Sequence, residues 1–181
     1  ASEPQNLPFR DISETDYFYA SVRWAAEQGI TSGVSEEHFA PEDGCTRAQI
    51  VTFLWRAAGS PVVNCAMDLI DVPADSYCTD AVRWALSEGI TTGIAAQLFG
   101  PDEICTRAQA VTFLARAKKA EADGETAFSD VPSDSYYADA VAWAASNGIT
   151  SGVSADRFAP GDTCTRAQIV TFLYRSLAED K

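Results

Sequence analysis

The side chains of this sequence best suited to bind a charged ligand are three arginines in a repeated motif. The motif is Cys-Thr-Arg-Ala-Gln before an apolar run, and its arginines are Arg47, Arg107 and Arg166. Thr followed three residues later by Gln is the capping box that begins a helix. Each arginine would then be the first helical residue, where the helix dipole disfavours a cation. A local rule broken three times indicates function, and a guanidinium beside the free N–H groups of a helix end can hold a carboxylate.

The motif belongs to a repeat that sets the organisation of the chain. Trp24, Trp84 and Trp143 are 60 and 59 residues apart, which divides the sequence into units 1–67, 68–124 and 125–181. In each unit a first helix is expected from Tyr17, Tyr77 or Tyr136 to a Gly-Ile-Thr-x-Gly loop, whose first glycine ends the helix. The second helices are predicted at 46–58, 106–119 and 165–178, and 59–61 and 122–124 read as linkers.

The apolar positions predict which faces are buried. Val51, Phe53 and Leu54, with their equivalents, form a strongly apolar face that a lone two-helix repeat cannot cover, so the repeats should share one core. The three repeated tryptophans are core residues by default, with stacking on a sugar as the open alternative.

The five cysteines fall into two groups. Cys45, Cys105 and Cys164 stand where the repeat needs an apolar side chain, so they are predicted to be buried and reduced. A metal site built from the three thiolates would lack a fourth ligand. Cys65 and Cys78 have no counterparts in the other units, and a disulfide between them stays open.

The composition restricts the partners of the protein. A net charge of −13 and a sequence pI near 4.3 argue against nucleic acid and anionic lipid. Six of the 13 basic residues are the paired arginines of the second helices, so positive charge is concentrated at repeated places. No apolar run is long enough to cross a membrane, and no membrane insertion is expected.

These segments together resemble the S-layer homology (SLH) domain of bacterial surface proteins. The resemblance rests on the ordered motifs Phe-x-Asp-Val, an aromatic residue, Ala-Val, Gly-Ile-x-x-Gly, Phe-x-Pro and Thr-Arg-Ala-Gln, in three tandem copies. It implies an all-α fold: three helical repeats in a pseudo-threefold assembly around a central three-helix bundle, with loop-plus-helix prongs. It also implies a location at the bacterial cell surface, in the cell wall or S-layer, within a larger surface protein.

The resemblance further implies non-covalent anchoring to an anionic, pyruvylated secondary cell wall polysaccharide, held in grooves between repeats without cofactor or metal. The three arginines occupy the ligand-contacting place of the family's Thr-Arg-Ala-Glu motif. The sequence departs from the family's motif at two positions. It has Gln where the family has Glu, which removes a carboxylate near each arginine, and it has Cys where the family has Ile before the Thr. The other residues expected at the binding grooves are Asp11, Tyr17, Gly33 and Gln49, then Asp71, Tyr77, Gly93 and Gln109, then Asp130, Tyr136, Gly152 and Gln168.

Two other functions are weighed against anchoring. In a structural or protein-interaction module, the arginines would form inter-repeat ion pairs with Asp11, Asp71 or Asp130. An enzyme such as a glycosidase would need a repeated carboxylate pair or a nucleophile beside a base, and the sequence shows neither. We therefore expect a protein without catalytic residues.

Overall fold

A computed structural model of the protein describes residues 6–121 and 124–178. Its secondary structure is helical, with only isolated β-bridges beside the helices in the described ranges, which confirms the all-α prediction. Each repeat contributes a shorter and then a longer helix. The six helices are α1 (Tyr19–Glu27), α2 (Arg47–Ala57), α3 (Thr79–Ser87), α4 (Arg107–Ala117), α5 (Ala138–Ser146) and α6 (Arg166–Leu177). In the described part of the chain, no helix is long and apolar enough to cross a membrane.

The longer helices begin with the predicted capping boxes. The Thr46 hydroxyl accepts a hydrogen bond from the Gln49 N–H at 3.1 Å, and the Gln49 Oε1 accepts one from the Thr46 N–H at 3.0 Å. The same reciprocal pair is present at the starts of α4 and α6. The local sequence therefore fixes where each arginine stands, at the first residue of its helix.

The repeats interlock in cyclic order. Each longer helix packs chiefly against the shorter helix of the next repeat, giving the pairs α2–α3, α4–α5 and α6–α1. At the junction the backbone N–H groups of Cys45, Cys105 and Cys164 donate to the carbonyls of Cys164, Cys45 and Cys105, each at 2.9 Å. The three repeats are thereby one structural unit. The exact threefold symmetry and the boundaries at residues 67/68 and 124/125 stay predictions.

The core confirms the apolar pattern. Val51, Phe53 and Leu54 are at most 4% exposed, and their counterparts on α4 and α6 are equally buried. Phe39, from the loop before α2, is fully buried, as are its equivalents Phe99 and Phe158. Because the shorter helix of a repeat packs on its neighbour's longer helix, we infer that one repeat alone lacks a complete core.

The cysteines at the junction are buried and carry free thiols, as predicted. Burial raises the pKa of Cys105 and of Cys164 to about 12, so these thiols stay protonated. Cys65 is exposed and Cys78 is buried, and both are free, so the disulfide that the sequence left open is not formed. Of the predicted linkers, Ala122 and Asp123 lie outside the described residues.

Candidate functional site: arginine-lined grooves between repeats

The guanidinium of Arg47 lies in the interface between the first two repeats. Only 5% of the residue is exposed. Its Nε donates to the Phe99 carbonyl at 2.9 Å, and its Nη2 donates to the Thr91 hydroxyl at 3.3 Å. The same guanidinium lies 4.9 Å from the centre of the Phe99 ring and 5.2 Å from that of Phe113. Arg47 therefore joins the start of α2 to the loops of the second repeat.

The other two arginines repeat this geometry around the molecule. Arg107 donates from Nε to the Phe158 carbonyl at 2.9 Å, and Arg166 donates to the Phe39 carbonyl at 2.8 Å. Each guanidinium also lies 4.8 Å from the centre of that phenylalanine ring. Burial lowers the pKa of all three arginines, but a guanidinium stays charged at any physiological pH.

The predicted aspartates hold the same loops from the opposite side. Both carboxylate oxygens of Asp71 accept backbone hydrogen bonds, from Phe99 at 2.9 Å and Gly100 at 2.8 Å. Asp11 and Asp130 make equivalent pairs in their own repeats. The expectation that arginine and aspartate form inter-repeat ion pairs is wrong. Each arginine instead donates to the carbonyl of the phenylalanine whose N–H group binds the aspartate.

The aspartates make the fold sensitive to acid. Partial burial alone would raise the pKa of Asp11, Asp71 and Asp130, but the backbone hydrogen bonds outweigh it and the pKa values lie below the ordinary value. A lowered folded-state pKa stabilises the protein above the unfolded pKa of about 3.9, and this stabilisation is lost as the pH falls through the folded value. We expect urea unfolding to show a constant free energy of unfolding near neutral pH and a decrease below about pH 4. Asp71→Asn should show a smaller decrease, and an unchanged acid profile would contradict this role.

The first groove lies beside α2 and is formed by all three repeats. It has a volume of about 390 Å³. Arg166 comes from the third repeat, Tyr77 from the second, and Gln49 and Arg56 from α2 of the first. The loop 31–34, which contains Gly33, forms one wall. The structure thus brings one predicted arginine, glycine, glutamine and tyrosine together around a single opening.

At the next junction the residues equivalent to those of the first groove are Arg47, Thr91, Gly93, Arg116 and Tyr136, and we call this position the second groove. Arg47 contacts Thr91 directly, and the Thr91 hydroxyl also accepts from the Gly93 N–H. Partial burial raises the pKa of Tyr136, and the charges of Arg116 and Arg47 act in the opposite direction.

At the remaining junction the equivalent residues are Arg107, Thr150, Gly152, Arg175 and Tyr17, which we call the third groove, and of these Thr150 and Arg175 line one cavity. The Thr150 hydroxyl accepts from the Gly152 N–H at 3.1 Å. Partial burial and Glu42 raise the pKa of Tyr17, whereas Arg107 and Arg175 lower it. The three tyrosines are exposed by 61–67%, so their rings are available to a ligand.

The second glycine of each loop has a structural role instead of offering its N–H to a ligand. The Gly33 N–H donates to the Thr31 hydroxyl at 3.1 Å, and the other two grooves repeat this bond. Gly33 has a φ of +83°, and an added Cβ would lie 2.5 Å from the His38 carbonyl oxygen. These three N–H groups are therefore bound within their own loops, and a contact of Gly33, Gly93 and Gly152 with a ligand stays a prediction.

Sequence reasoning missed two sets of residues at the grooves. Thr31, Thr91 and Thr150 are 3–5% exposed and accept the glycine N–H groups. Their constant place two residues before the second glycine was the signal. The second set is the arginines of the last helical turn, which the sequence indicated only as part of the positive charge of the longer helices. Arg56 also lines the first groove while its Nη1 donates to the Ile30 carbonyl.

The capping box orients the glutamine amide. Because the Thr46 N–H must meet an acceptor, Gln49 turns its Oε1 toward it. Gln49 is only partly buried and lines the groove, and its Nε2 has no hydrogen-bond partner among the described residues. The groove therefore gains two N–H donors at this position. A glutamate would have placed a carboxylate oxygen there.

The charge of the first groove is positive and unbalanced. Its lining contains Arg56 and Arg166 and no carboxylate. Within residues 6–121 and 124–178, none of Arg47, Arg107 and Arg166 forms an ion pair with an acidic side chain. A buried cation without a counterion is costly, so an external anion is the natural complement. In the same ranges no cluster of His, Cys, Asp or Glu side chains could hold a metal ion.

The fold defines a protein of three interlocked helical repeats with a buried arginine at each junction, and comparison with known families gives its identity. The S-layer homology domain matches three times, at residues 8–51, 71–111 and 127–170, which together cover more than half of the chain. The chain belongs to this family and consists of three tandem SLH domains.

Several similar proteins come from bacterial surfaces. The chain is 38% identical over 97 residues to the Surface-layer 125 kDa protein of Lysinibacillus sphaericus, covering 54% of this chain and 8% of that protein. It is 32% identical over 115 residues to a cell surface protein of Thermoanaerobacter kivui, a match that covers 61% of this chain and 15% of that protein. It is 28% identical over 173 residues to an amylopullulanase of Thermoanaerobacterium thermosulfurigenes, a match that covers 92% of this chain and 9% of that protein.

The chain therefore spans only a small part of the length of these relatives. The family and the surface-layer relatives place it at the cell surface and make it a non-catalytic anchoring module of the cell wall. Similarity to an enzyme such as the amylopullulanase concerns the attached SLH segment, because the matched region is 9% of that protein.

Proposed function

We propose that the chain binds an anionic, pyruvylated secondary cell wall polysaccharide in the grooves between its repeats and so anchors a larger surface protein without a covalent bond. One observation carries the proposal. Three buried guanidinium groups have no carboxylate partner among the described residues, and that of Arg166 lines a groove, in a protein whose net charge is −13. The counterion of these cations is therefore expected to be an external anion.

The first groove offers a complete set of contacts for such a terminus. Arg166 uses only its Nε for the Phe39 carbonyl, so its Nη groups are available for a carboxylate. Arg56 and the Nε2 of Gln49 add donors from α2. Val34 and Tyr77, which are 53% and 61% exposed, provide apolar surface for the methyl group of a pyruvate ketal and for the sugar ring.

The arginines would serve the fold and the ligand together. Their hydrogen bonds to phenylalanine carbonyls favour the structural alternative, and their remaining donors favour binding. Three grooves on one chain could also act together on one polymer. Avidity would then give firm anchoring from weak single sites.

The direct test is sedimentation of the chain with purified cell-wall sacculi before and after extraction of the non-peptidoglycan polymer. We expect the chain to sediment with intact sacculi and to stay in the supernatant after extraction. Equal sedimentation with both preparations would contradict the proposal. A reducing-end assay on the bound polymer should show no new ends, which separates anchoring from glycosidase activity.

A negative charge introduced at the capping box tests the groove without disturbing the fold. Gln49→Glu should keep the capping box and leave the free energy of unfolding equal or slightly higher, because a carboxylate suits a helix N-terminus. Binding to intact sacculi should weaken roughly threefold to tenfold, since the new charge repels the ligand and neutralises Arg166. Val62→Glu is the matched control, because Val62 is 85% exposed and lies outside the groove lining. Equal binding by both variants would argue against an anionic ligand in this groove.

A further inference from the structure

The α4–α5 interface differs from its two counterparts at one position. α2 carries Trp55 and α6 carries Tyr174 where α4 carries Ala115. The ring of Tyr174 contacts Trp24 edge-on, with 5.6 Å between the ring centres. Trp143 of α5, the equivalent of Trp24, faces Ala115 at this position, and the two residues line one cavity. The loss of one aromatic side chain thus leaves space beside an aromatic surface.

This cavity has a volume of about 190 Å³, which is space for one sugar ring. Ala115, Ala140 and Trp143 contribute its apolar bed. Its rim contains Arg116 and Lys119 as donors and Asp139 as an acceptor. The Lys119 ammonium lies 3.5 Å from a carboxylate oxygen of Glu88, which orients it at the rim.

These side chains match the chemistry of a carbohydrate. One face of a pyranose ring presents C–H groups that pack on an aromatic ring, and its edge presents hydroxyl groups that donate and accept. The half-buried indole of Trp143 offers the aromatic surface, and its Nε1 has no hydrogen-bond partner among the described residues. The mixed rim also suits hydroxyl groups better than a second carboxylate, because Asp139 would repel an anion.

The cavity overlaps the second groove, because Arg116 and Tyr136 belong to both. Thr112, Arg116 and Tyr136 line the cavity, and their equivalents Thr52, Arg56 and Tyr77 line the first groove. A polysaccharide whose acidic end reaches Arg47 would therefore extend over Tyr136 toward Trp143.

We propose that this cavity is a subsite for the sugar next to the acidic terminal sugar, so that the second groove binds two sugar units of the polymer. The inference rests on the proposed function of the grooves and specifies it further. At the other two interfaces Trp55 or Tyr174 stands where α4 has Ala115, so we assign a subsite at this position to the second groove alone.

Nuclear magnetic resonance of the whole chain tests the proposal with two local reporters. The Gly93 N–H reports on the second groove, and the Trp143 indole N–H, assigned with a Trp143→Phe variant, reports on the cavity. The probes are a hexosamine carrying a pyruvate ketal, a disaccharide with this sugar at its non-reducing end, and the disaccharide without the ketal. We expect the ketal disaccharide to shift both signals and to bind roughly tenfold more tightly than the monosaccharide.

Ala115→Tyr fills the cavity with the side chain that α6 already carries. We expect this variant to bind the ketal monosaccharide as the parent does and to lose the roughly tenfold gain for the disaccharide. Should the variant fold poorly, the two reporters in the parent chain decide alone.

The outcomes separate the two proposals. If Gly93 shifts with both ketal probes while Trp143 responds to neither disaccharide, the subsite is wrong and the groove stands. If Trp143 shifts equally with and without the ketal and Gly93 never moves, the cavity binds sugar but the anionic groove is wrong. If neither signal moves with any probe, both proposals are overturned.

Discussion

Arg47→Ala is expected to lower the free energy of unfolding by about 2–4 kcal/mol. The substitution removes two hydrogen bonds from a buried guanidinium and its contacts with two phenylalanine rings. It also leaves the Phe99 carbonyl without its arginine donor in the interface between repeats. The sequence alone predicted the opposite, a level or slightly increased stability, because a cation is disfavoured at the first residue of a helix.

Urea unfolding of parent and variant measures this effect. Arg23→Ala is the control, since Arg23 makes only a surface pair with Glu27 one helical turn away, and it should leave stability unchanged. Arg47→Lys should recover part of the loss, because an ammonium keeps the charge but lacks the planar donor fork. Stability of Arg47→Ala equal to that of the control would mean that these arginines do not join the repeats.

Gly33→Ala is expected to cost more than about 2 kcal/mol of stability. The residue has a φ of +83°, and an added Cβ would lie 2.5 Å from the His38 carbonyl oxygen and equally close to the Phe9 ring. The His38 carbonyl is a backbone group that accepts from the Val34 N–H, so it cannot move without shifting the loop that forms the groove wall. Binding should fall together with stability.

Gly29→Ala provides the matched control for this substitution. Gly29 also has a positive φ, +71°, but nothing lies within 4 Å of an added Cβ. Its replacement should cost only the conformational penalty, about 1–2 kcal/mol. Thermal unfolding of both variants separates the two contributions. Equal costs would show that close packing at Gly33 has no effect.

The local parts of the fold could be predicted from the sequence. The capping boxes at Thr46 and its equivalents depend on residues three apart, and the burial of Phe53 and Leu54 follows from helical periodicity. Both were confirmed. The position of each arginine at a helix start followed from the same local rule.

The contacts between repeats could not be predicted in this way. The hydrogen bond from Arg166 to the Phe39 carbonyl joins residues 127 positions apart, and nothing in either local sequence indicates it. The ring of cysteine backbone hydrogen bonds has the same origin in tertiary structure. The ion pair expected between arginine and aspartate failed because opposite charges suggested direct contact, whereas a peptide group lies between them.

The structural role of the arginines affects how binding should be tested. Since the arginines support the interfaces, a loss of binding in an arginine variant would mix two effects. Gln49→Glu avoids this problem because it changes the charge of the groove while the capping box is kept. The same reasoning recommends Ala115→Tyr for the cavity on α4.

Isothermal titration of the chain with the pyruvate-ketal hexosamine, and with the same sugar without the ketal, tests the central claim most directly. If the grooves bind an anionic terminus, only the ketal sugar should bind at neutral pH, and its affinity should fall as salt is added. Gln49→Glu should reduce the heat contributed by the first groove. Equal affinity for both sugars, or an affinity unaffected by salt, would contradict an anion held by Arg47, Arg107 and Arg166.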